Sequence, residues 1–251
     1  CLIHFTIDGR HIMAVGSTDG TVRVLSFNVG TREWVQEDKL CGHCGFLLCV
    51  THFTMGGAHM LATGSGDDTV RVWLYHAKTQ RWSAHETLLG HTNHLRCITS
   101  FTMGDGRHML ASGGWDGTVR VWYCDEDSEQ WGAYSRLSGH DAPVNAITHF
   151  TMGETRMLAS VGHDRTVRVW RCDKFTEQWS AHETMEGHTN GVYCIMHYTM
   201  GDTHMLASGS WDGTLRVWRA NQTVSFSTHK EVSNKKQLCT FDNELGEDTD
   251  G

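Results

Sequence analysis

The sequence predicts an all-β chain built from five copies of one four-stranded unit. Three observations carry this. "TVRVL" at 21–25 returns as "TVRVW" at 69–73, 118–122 and 166–170 and as "TLRVW" at 214–218, at steps of 48, 49, 48 and 48 residues. A Gly-His pair falls at 42–43, 90–91, 139–140 and 187–188, at steps of 48, 49 and 48. No stretch holds the roughly 3.6-residue apolar period of a helix for a helical length.

Each strand of the unit can be justified in order. After Gly-His comes an apolar run such as "GVYCIMHY" (191–198), then a turn, "TMGDT" (199–203). "HMLASGS" (204–210) follows, then the tight turn "WDG" and "TLRVW" (214–218). A last strand like "QWSAHETM" (178–185) leads into the next Gly-His. The segments are short, rich in β-branched and aromatic residues, and punctuated by Gly, Asp and Asn. Pro143, the single proline, follows a Gly-His and fits a loop or a strand start. A period near 48 with four strands per copy predicts a β-propeller. Its blades are expected at about 1–40, 41–89, 90–138, 139–186 and 187–228, with "TVSFS" (223–227) as the last outer strand. Residues 229–251 are expected to form a polar, acidic, disordered tail, since the last ten hold five acids and no base.

Composition narrows the function. The 251 residues carry a net charge of -8 and are 39% apolar and 20% charged. There is no basic stripe of the kind that marks a nucleic-acid binder, and no apolar run near about 18 residues to span a membrane. "CLIHFTIDGR" lacks the layout of a signal peptide. It also lacks a methionine, so the chain is expected to be a fragment or a processed product. Nine scattered cysteines, an odd count, argue against a secreted disulfide framework. A cytoplasmic or nuclear location is expected.

Gly-His, a strand ending "LASGS", an Asp in a tight turn and then "TVRVW" resemble the WD repeat (WD40) family across residues 1 to about 228. The chain departs from the family in two ways. Trp73, Trp122, Trp170 and Trp218 are followed by Leu74, Tyr123, Arg171 and Arg219 rather than Asp. The repeat is also long, with the extra residues between that Trp and the next Gly-His. The family usually closes a ring of seven blades. Five are visible here, which implies a small ring or, preferred, an incomplete, open propeller.

The resemblance implies a hydrogen-bonded tetrad in each blade. The sets are His43, Thr63, Asp67 and Trp73; His91, Ser112, Asp116 and Trp122; His140, Ser160, Asp164 and Trp170; and His188, Ser208, Asp212 and Trp218. The first unit lacks one, with Val15 and Leu25 in two of the positions and no Gly-His. Ser, His and Asp together also describe a hydrolase triad. A triad occurs once, at a cleft, whereas this set recurs four times in one register, so a structural role is expected and no catalytic residue. "HETLLGH" (85–91) and "HETMEGH" (182–188) space their histidines by six on a strand and turn, not by four on a helix, so no metal site is expected. No cofactor is expected either. The "TVRV" arginines (23, 71, 120, 168 and 216) are expected to pack between blades.

Cys41-Gly42-His43-Cys44 is, letter for letter, the motif of protein disulfide isomerases. That chemistry needs a helix N-terminus to stabilise its thiolate, and Gly42-His43 is one of the repeated landmarks instead. A local disulfide between the two thiols stays open. Cys49, Cys97 and Cys194 each lie six residues after a landmark His, in a slot that Ala146 fills in the other copy, which calls for a small apolar side chain.

Where copies agree they specify the scaffold; where they differ they are free to specify a partner. One variable position precedes the turn Asp: Thr18, Gly66, Trp115, His163 and Trp211. Another lies five residues after the landmark His: Leu48, Arg96, Asn145 and Tyr193. The resemblance implies that both lie on the propeller's top face. Trp, Tyr and Arg are the side chains most enriched in interface hot spots. The expected site is therefore Trp115, Trp211, His163, Arg96, Asn145 and Tyr193, with His94 beside it. The expected function is a noncatalytic scaffold for protein or peptide partners. Two alternatives are a substrate receptor of a ubiquitin ligase and an accessory propeller of a larger enzyme or signalling protein. Ligase receptors of the family carry an Arg where this chain has His76, Asp125, Asp173 and Asn221.

Overall fold

The computed structural model describes residues 1–125, 128–221 and 225–233. They form five four-stranded antiparallel sheets, each a meander in chain order. The first contains β1 (Leu2–Ile7), β2 (Arg10–Gly16), β3 (Val22–Asn28) and β4 (Glu33–Leu40). The second contains β5 (Leu47–Met55), β6 (Ala58–Ser65), β7 (Val70–His76) and β8 (Arg81–Leu88). The third contains β9 (Leu95–Thr102), β10 (His108–Gly114), β11 (Thr118–Asp125) and β12 (Gln130–Ser138). The fourth contains β13 (Val144–Met152), β14 (Thr155–Gly162), β15 (Val167–Cys172) and β16 (Trp179–Met185). The fifth contains β17 (Val192–Met200), β18 (Thr203–Ser210), β19 (Thr214–Ala220) and β20 (Phe226–Ser233).

The repeated Asp sets each turn between second and third strands. Its Oδ1 accepts the backbone N–H of the Thr two residues on, at 3.0 Å for Thr21, 3.1 Å for Thr69, 3.0 Å for Thr118, 3.1 Å for Thr166 and 2.8 Å for Thr214. The residue between them is left-handed, from φ 67° at Asp68 to φ 78° at Gly213, which is where Gly is cheapest and Asp is tolerated.

The core lies between sheets rather than within them. Phe5, Ile12, Val22, Val24 and Leu40 of the first blade pack against Leu47, Leu61, Trp73, Tyr75 and Trp82 of the second. Equivalent clusters join the second blade to the third, the third to the fourth and the fourth to the fifth. Each blade thus has a forward face on its successor and a rear face on its predecessor, so stability is a sum of nearest-neighbour joints. The inner strands β1, β5, β9, β13 and β17 pack in that order, and β17 is not packed on β1 among the described residues. Closure of the five blades into a ring is not detected among the described residues.

Two expectations need correction. The last outer strand is described as Phe226–Ser233, so 229–233 belong to the sheet and the expected tail begins too early; 223 and 224 of the expected strand lie outside the described residues. Phe226 sets the register: it takes the slot of Trp82, Trp131 and Trp179, and its N–H donates to Glu183 Oε2 at 2.7 Å. The remainder of the expected tail, 234–251, lies outside the described residues. The second correction concerns the arginines. Arg71, Arg120, Arg168 and Arg216 lie over the Gly of their own landmark, whereas Arg23, which has no landmark, lies 3.7 Å from Asp19. A Cβ on Gly90 would stand 2.6 Å from Arg120 Nη1, and one on Gly139 would stand 2.8 Å from Arg168 Nη1. A Cβ at the landmark glycine would crowd the guanidinium, which would have to shift.

Candidate functional site

The chain's repeated polar residues meet in four buried sets. In the second blade His43 Nδ1–H donates to Asp67 Oδ2 at 2.9 Å, and Thr63 Oγ1–H donates to His43 Nε2 at 2.9 Å. Trp73 Nε1–H donates to the same Thr63 Oγ1 at 2.9 Å. The hydroxyl therefore relays between indole and imidazole, which fixes the tautomer of the ring. The third blade joins His91 to Asp116 and Ser112, with Trp122 on the serine, all at 2.9 Å. The fourth joins His140 to Asp164 at 2.7 Å and to Ser160 at 2.8 Å, with Trp170 on Ser160. The fifth joins His188, Asp212, Ser208 and Trp218 at 2.9 Å throughout.

A fifth member of each set is Thr69, Thr118, Thr166 or Thr214. Its Oγ–H donates to the Asp at 2.6 to 2.9 Å. The sequence signal was a Thr two residues after every turn Asp, also present as Thr21. Burial works against ionisation of Asp67. Hydrogen bonds from Thr69, from the Cys44 N–H and from His43 outweigh it and hold the pKa at about 2. Asp116, Asp164 and Asp212 are held low in the same way. Desolvation in turn lowers the pKa of His43. Thr63, Ser112, Ser160 and Ser208 are all fully buried. Their oxygens are enclosed by imidazole and indole, so they cannot reach a substrate carbonyl as a triad nucleophile must.

The second site is the end of the propeller that carries the Asp turns. Here every inner strand except the first has a β-bulge. Leu47 pairs with Ser65 and Cys49 with Gly64, leaving Leu48 extra; Arg96, Asn145 and Tyr193 are the extra residues of β9, β13 and β17. A bulge re-aims a side chain out of the ladder, so the variable position of the repeat is the bulged one. The residue before the turn Asp is fixed by its backbone. Trp115 N–H donates to His94 O at 2.8 Å, His163 N–H to Pro143 O at 2.9 Å and Trp211 N–H to Gly191 O at 3.0 Å.

These positions form two aromatic groups. Phe46 packs edge-on against His94, which packs against Trp115, with ring centroids 5.2 and 5.3 Å apart. In the other, Tyr193 stacks on Trp211 at 4.6 Å, its hydroxyl lies 2.8 Å from His163 Nε2, and the Arg96 guanidinium sits 5.8 Å from the centre of its ring. Arg96 and Tyr193 come from the third and fifth blades. The slot between them holds Asn145, which is buried and donates from Nδ2 to Val192 O at 2.7 Å. Asn145 thus ties β13 to β17 and is not part of an accessible surface, which corrects its place in the expected site. Trp115 is 42% exposed and Trp211 72%.

None of the described cysteines is in a disulfide, the exposed Cys41 and Cys44 included. Cys49 and Cys97 pack against Gly64 and Gly113, and burial pushes Cys97 up to about 12. Native labelling with a thiol reagent is expected to modify Cys1, Cys41, Cys44 and Cys194 within the mixing time and to reach Cys49, Cys124 and Cys172 only in denaturant. Mass mapping of rapid Cys49 modification would contradict the burial. Among the described residues no cluster of three or more His, Cys, Asp or Glu is gathered for a metal, and no helix is long and apolar enough to cross a membrane.

No curated protein matches the chain. A family model does, that of the WD domain, G-beta repeat, over residues 34–73, 82–123, 132–171 and 179–219. Every matched stretch starts in the outer strand of one blade and ends at or just past the third-strand Trp of the next, so each straddles two sheets. With these four repeats covering more than half of its length, the chain belongs to the WD40 repeat family.

Proposed function

We propose that the protein is a noncatalytic scaffold that binds a protein or peptide across the end of the propeller carrying the Asp turns. WD40 domains generally serve protein interaction. The observation that carries this reading is the group Arg96, His163, Tyr193 and Trp211. Three blades contribute to it, it contains the residue types of binding hot spots, and its stacked indole is largely open to solvent. Trp115 with His94 and Phe46 makes a second anchor on the same end. Neither group overlaps a tetrad, so binding and folding are carried by different residues.

The ligase-receptor alternative finds less support. Where an adaptor Arg would stand, Asp125 and Asp173 cap their own turns, accepting from Ser128 N–H at 2.9 Å and Thr176 N–H at 2.8 Å. A Trp115→Ala/Trp211→Ala variant tests the main reading. A partner recovered with the wild-type chain is expected to bind the folded variant about 30-fold or more weakly, equivalent to about 2 kcal/mol. Equal binding would remove the proposal.

A further inference from the structure

At the end away from the Asp turns, consecutive blades meet around one repeated place, and the chain fills it differently from joint to joint. Two slots of the repeat face each other there. The residue two places before Ile12, Met60 and Met109 is Arg10, Ala58 and Arg107. The residue two places before Trp82, Trp131 and Trp179 is Gln80, Glu129 and Glu177. These last three are all left-handed, at φ 54°, 56° and 57°, so their turns present them alike.

Between the third and fourth blades the place is full. Arg107 crosses the joint and pairs with the Glu177 carboxylate. Tyr134 O–H donates to Glu177 O at 3.0 Å, and the ring of Tyr123 packs against that of Tyr134 with centroids 5.8 Å apart. Arg10 crosses from the first blade to the second in the same way, donating from Nη2–H to Tyr75 Oη at 2.9 Å. Tyr75 stands where Cys124 stands in the third blade, so a guanidinium at this place reaches the positions of both Cys124 and Glu129.

Between the second and third blades the place is open. His85 Nε2–H donates to Glu129 O at 3.1 Å, the counterpart of the bond from Tyr134 to Glu177. Leu74, however, stands for Tyr123, and Ala58 for Arg107. A cavity of about 360 Å³ remains, walled by Met55, Met60, Leu74 and Cys124, with Glu129 also lining it. Met55 is half-buried where its repeat Met103 is buried. The Glu129 carboxylate pairs with no cation among the described residues, whereas Glu177 has Arg107.

We propose that this cavity takes an arginine side chain of a protein partner, its guanidinium on the Glu129 carboxylate and its stem along Met55, Met60 and Leu74. The chain supplies its own model of the bound state in Arg107 on Glu177. A planar guanidinium suits a carboxylate at the rim, and a long aliphatic stem suits thioether and leucine walls. The proposal is independent of the Trp211 group, which lies at the opposite end of the blades.

The test titrates the whole chain, carrying isotope-labelled methionine methyls, with the peptide acetyl-Gly-Arg-Gly-amide. The Met55 and Met60 signals are expected to shift and saturate with a Kd of about 1 mM, while Met103 and Met109 of the filled joint stay in place. The same peptide with citrulline for arginine keeps the shape without the charge and is expected to bind about 10-fold more weakly. Glu129→Gln, which installs the residue the second blade carries as Gln80, is expected to weaken the arginine peptide by a similar factor. Ala58→Arg is expected to abolish the shifts by filling the place from within, as Arg10 and Arg107 do. Unmoved Met55 and Met60 signals up to about 10 mM peptide overturn the proposal. So does equal binding of the citrulline peptide, or unchanged binding to either variant, each checked for folding by circular dichroism. Tighter binding of free ethylguanidinium than of the peptide would name a small guanidine instead of a partner's side chain and overturn it equally.

Discussion

Asp164→Ala is expected to destabilise the chain by about 3 kcal/mol, seen as a lower urea midpoint with an unchanged slope. The carboxylate accepts from His140 Nδ1–H at 2.7 Å, from the N–H and Oγ–H of Thr166 at 3.1 and 2.9 Å, and from Asp141 N–H at 3.3 Å. Its side chain is only 8% exposed. Removing it leaves the imidazole and its relay to Ser160 and Trp170 buried without the group that orients them. In a chain of this length the melting temperature should fall by roughly 10 °C. The internal control is Asp19→Ala. Asp19 bonds Thr21 but has no landmark His to hold, and its side chain is 43% exposed. That change is expected to cost about 1 kcal/mol or less. Equal losses at the two positions would show that the turn, not the tetrad, provides the stability.

Acid is expected to loosen the joints between blades before it protonates the tetrad carboxylates, with the lowered His43 of the second blade titrating alongside the joints. His52 lies flat on Phe5 of the preceding blade, with centroids 3.9 Å apart, and hydrogen-bonds His59 at 3.0 Å. His149 lies on Phe101 and His197 on Phe150 in the same manner. Burial, then the neighbouring His59, lowers His52 to about 4; burial, then Arg156 and His197, lowers His149 to about 4. A histidine with a depressed pKa is neutral in the folded state and protonates first in the unfolded one. Stability is therefore full above about pH 6.5 and falls as the pH drops from there towards about 4. Asp67 acts in a lower window: its pKa of about 2 stabilises the fold above the ordinary carboxylate value, and that part is lost below about pH 4. The urea midpoint is expected to decline between about pH 6.5 and 4.5 in the wild type. A His52→Gln/His149→Gln variant should show a flatter profile over the same range. Parallel profiles would rule the joints out as the acid-sensitive element.

How far the sequence could be read depended on whether a residue acts within its own repeat. The tetrad residues do, so the family resemblance, carried over by position, places them together: His43, Thr63, Asp67 and Trp73 close on one another within a single blade. Asn145 was misread because the bulge at β13 interrupts the alternation of faces, and one sequence carries no sign of which way an extra residue turns. The approach of Arg71 and its repeats to the landmark glycines was not legible, because the repeat shows that the two recur together and not that they touch. Phe226 was missed because the outer strand of the last blade begins with Phe where the other repeats have Trp, one residue early relative to Trp218. The partial exposure of Leu215 and Trp34 was not legible residue by residue, since both look like their buried repeats.

Because each matched repeat straddles two sheets, cutting the gene at any point of the roughly 48-residue period and rejoining it one period away recreates a junction the protein already has. Unequal crossing-over therefore adds or deletes whole blades without inventing a new loop or a new joint. For a chain built this way, the number of blades is free to drift by recombination, and copies as alike as "HMLASGG" and "HMLASGS" supply the matching stretches that such exchange requires.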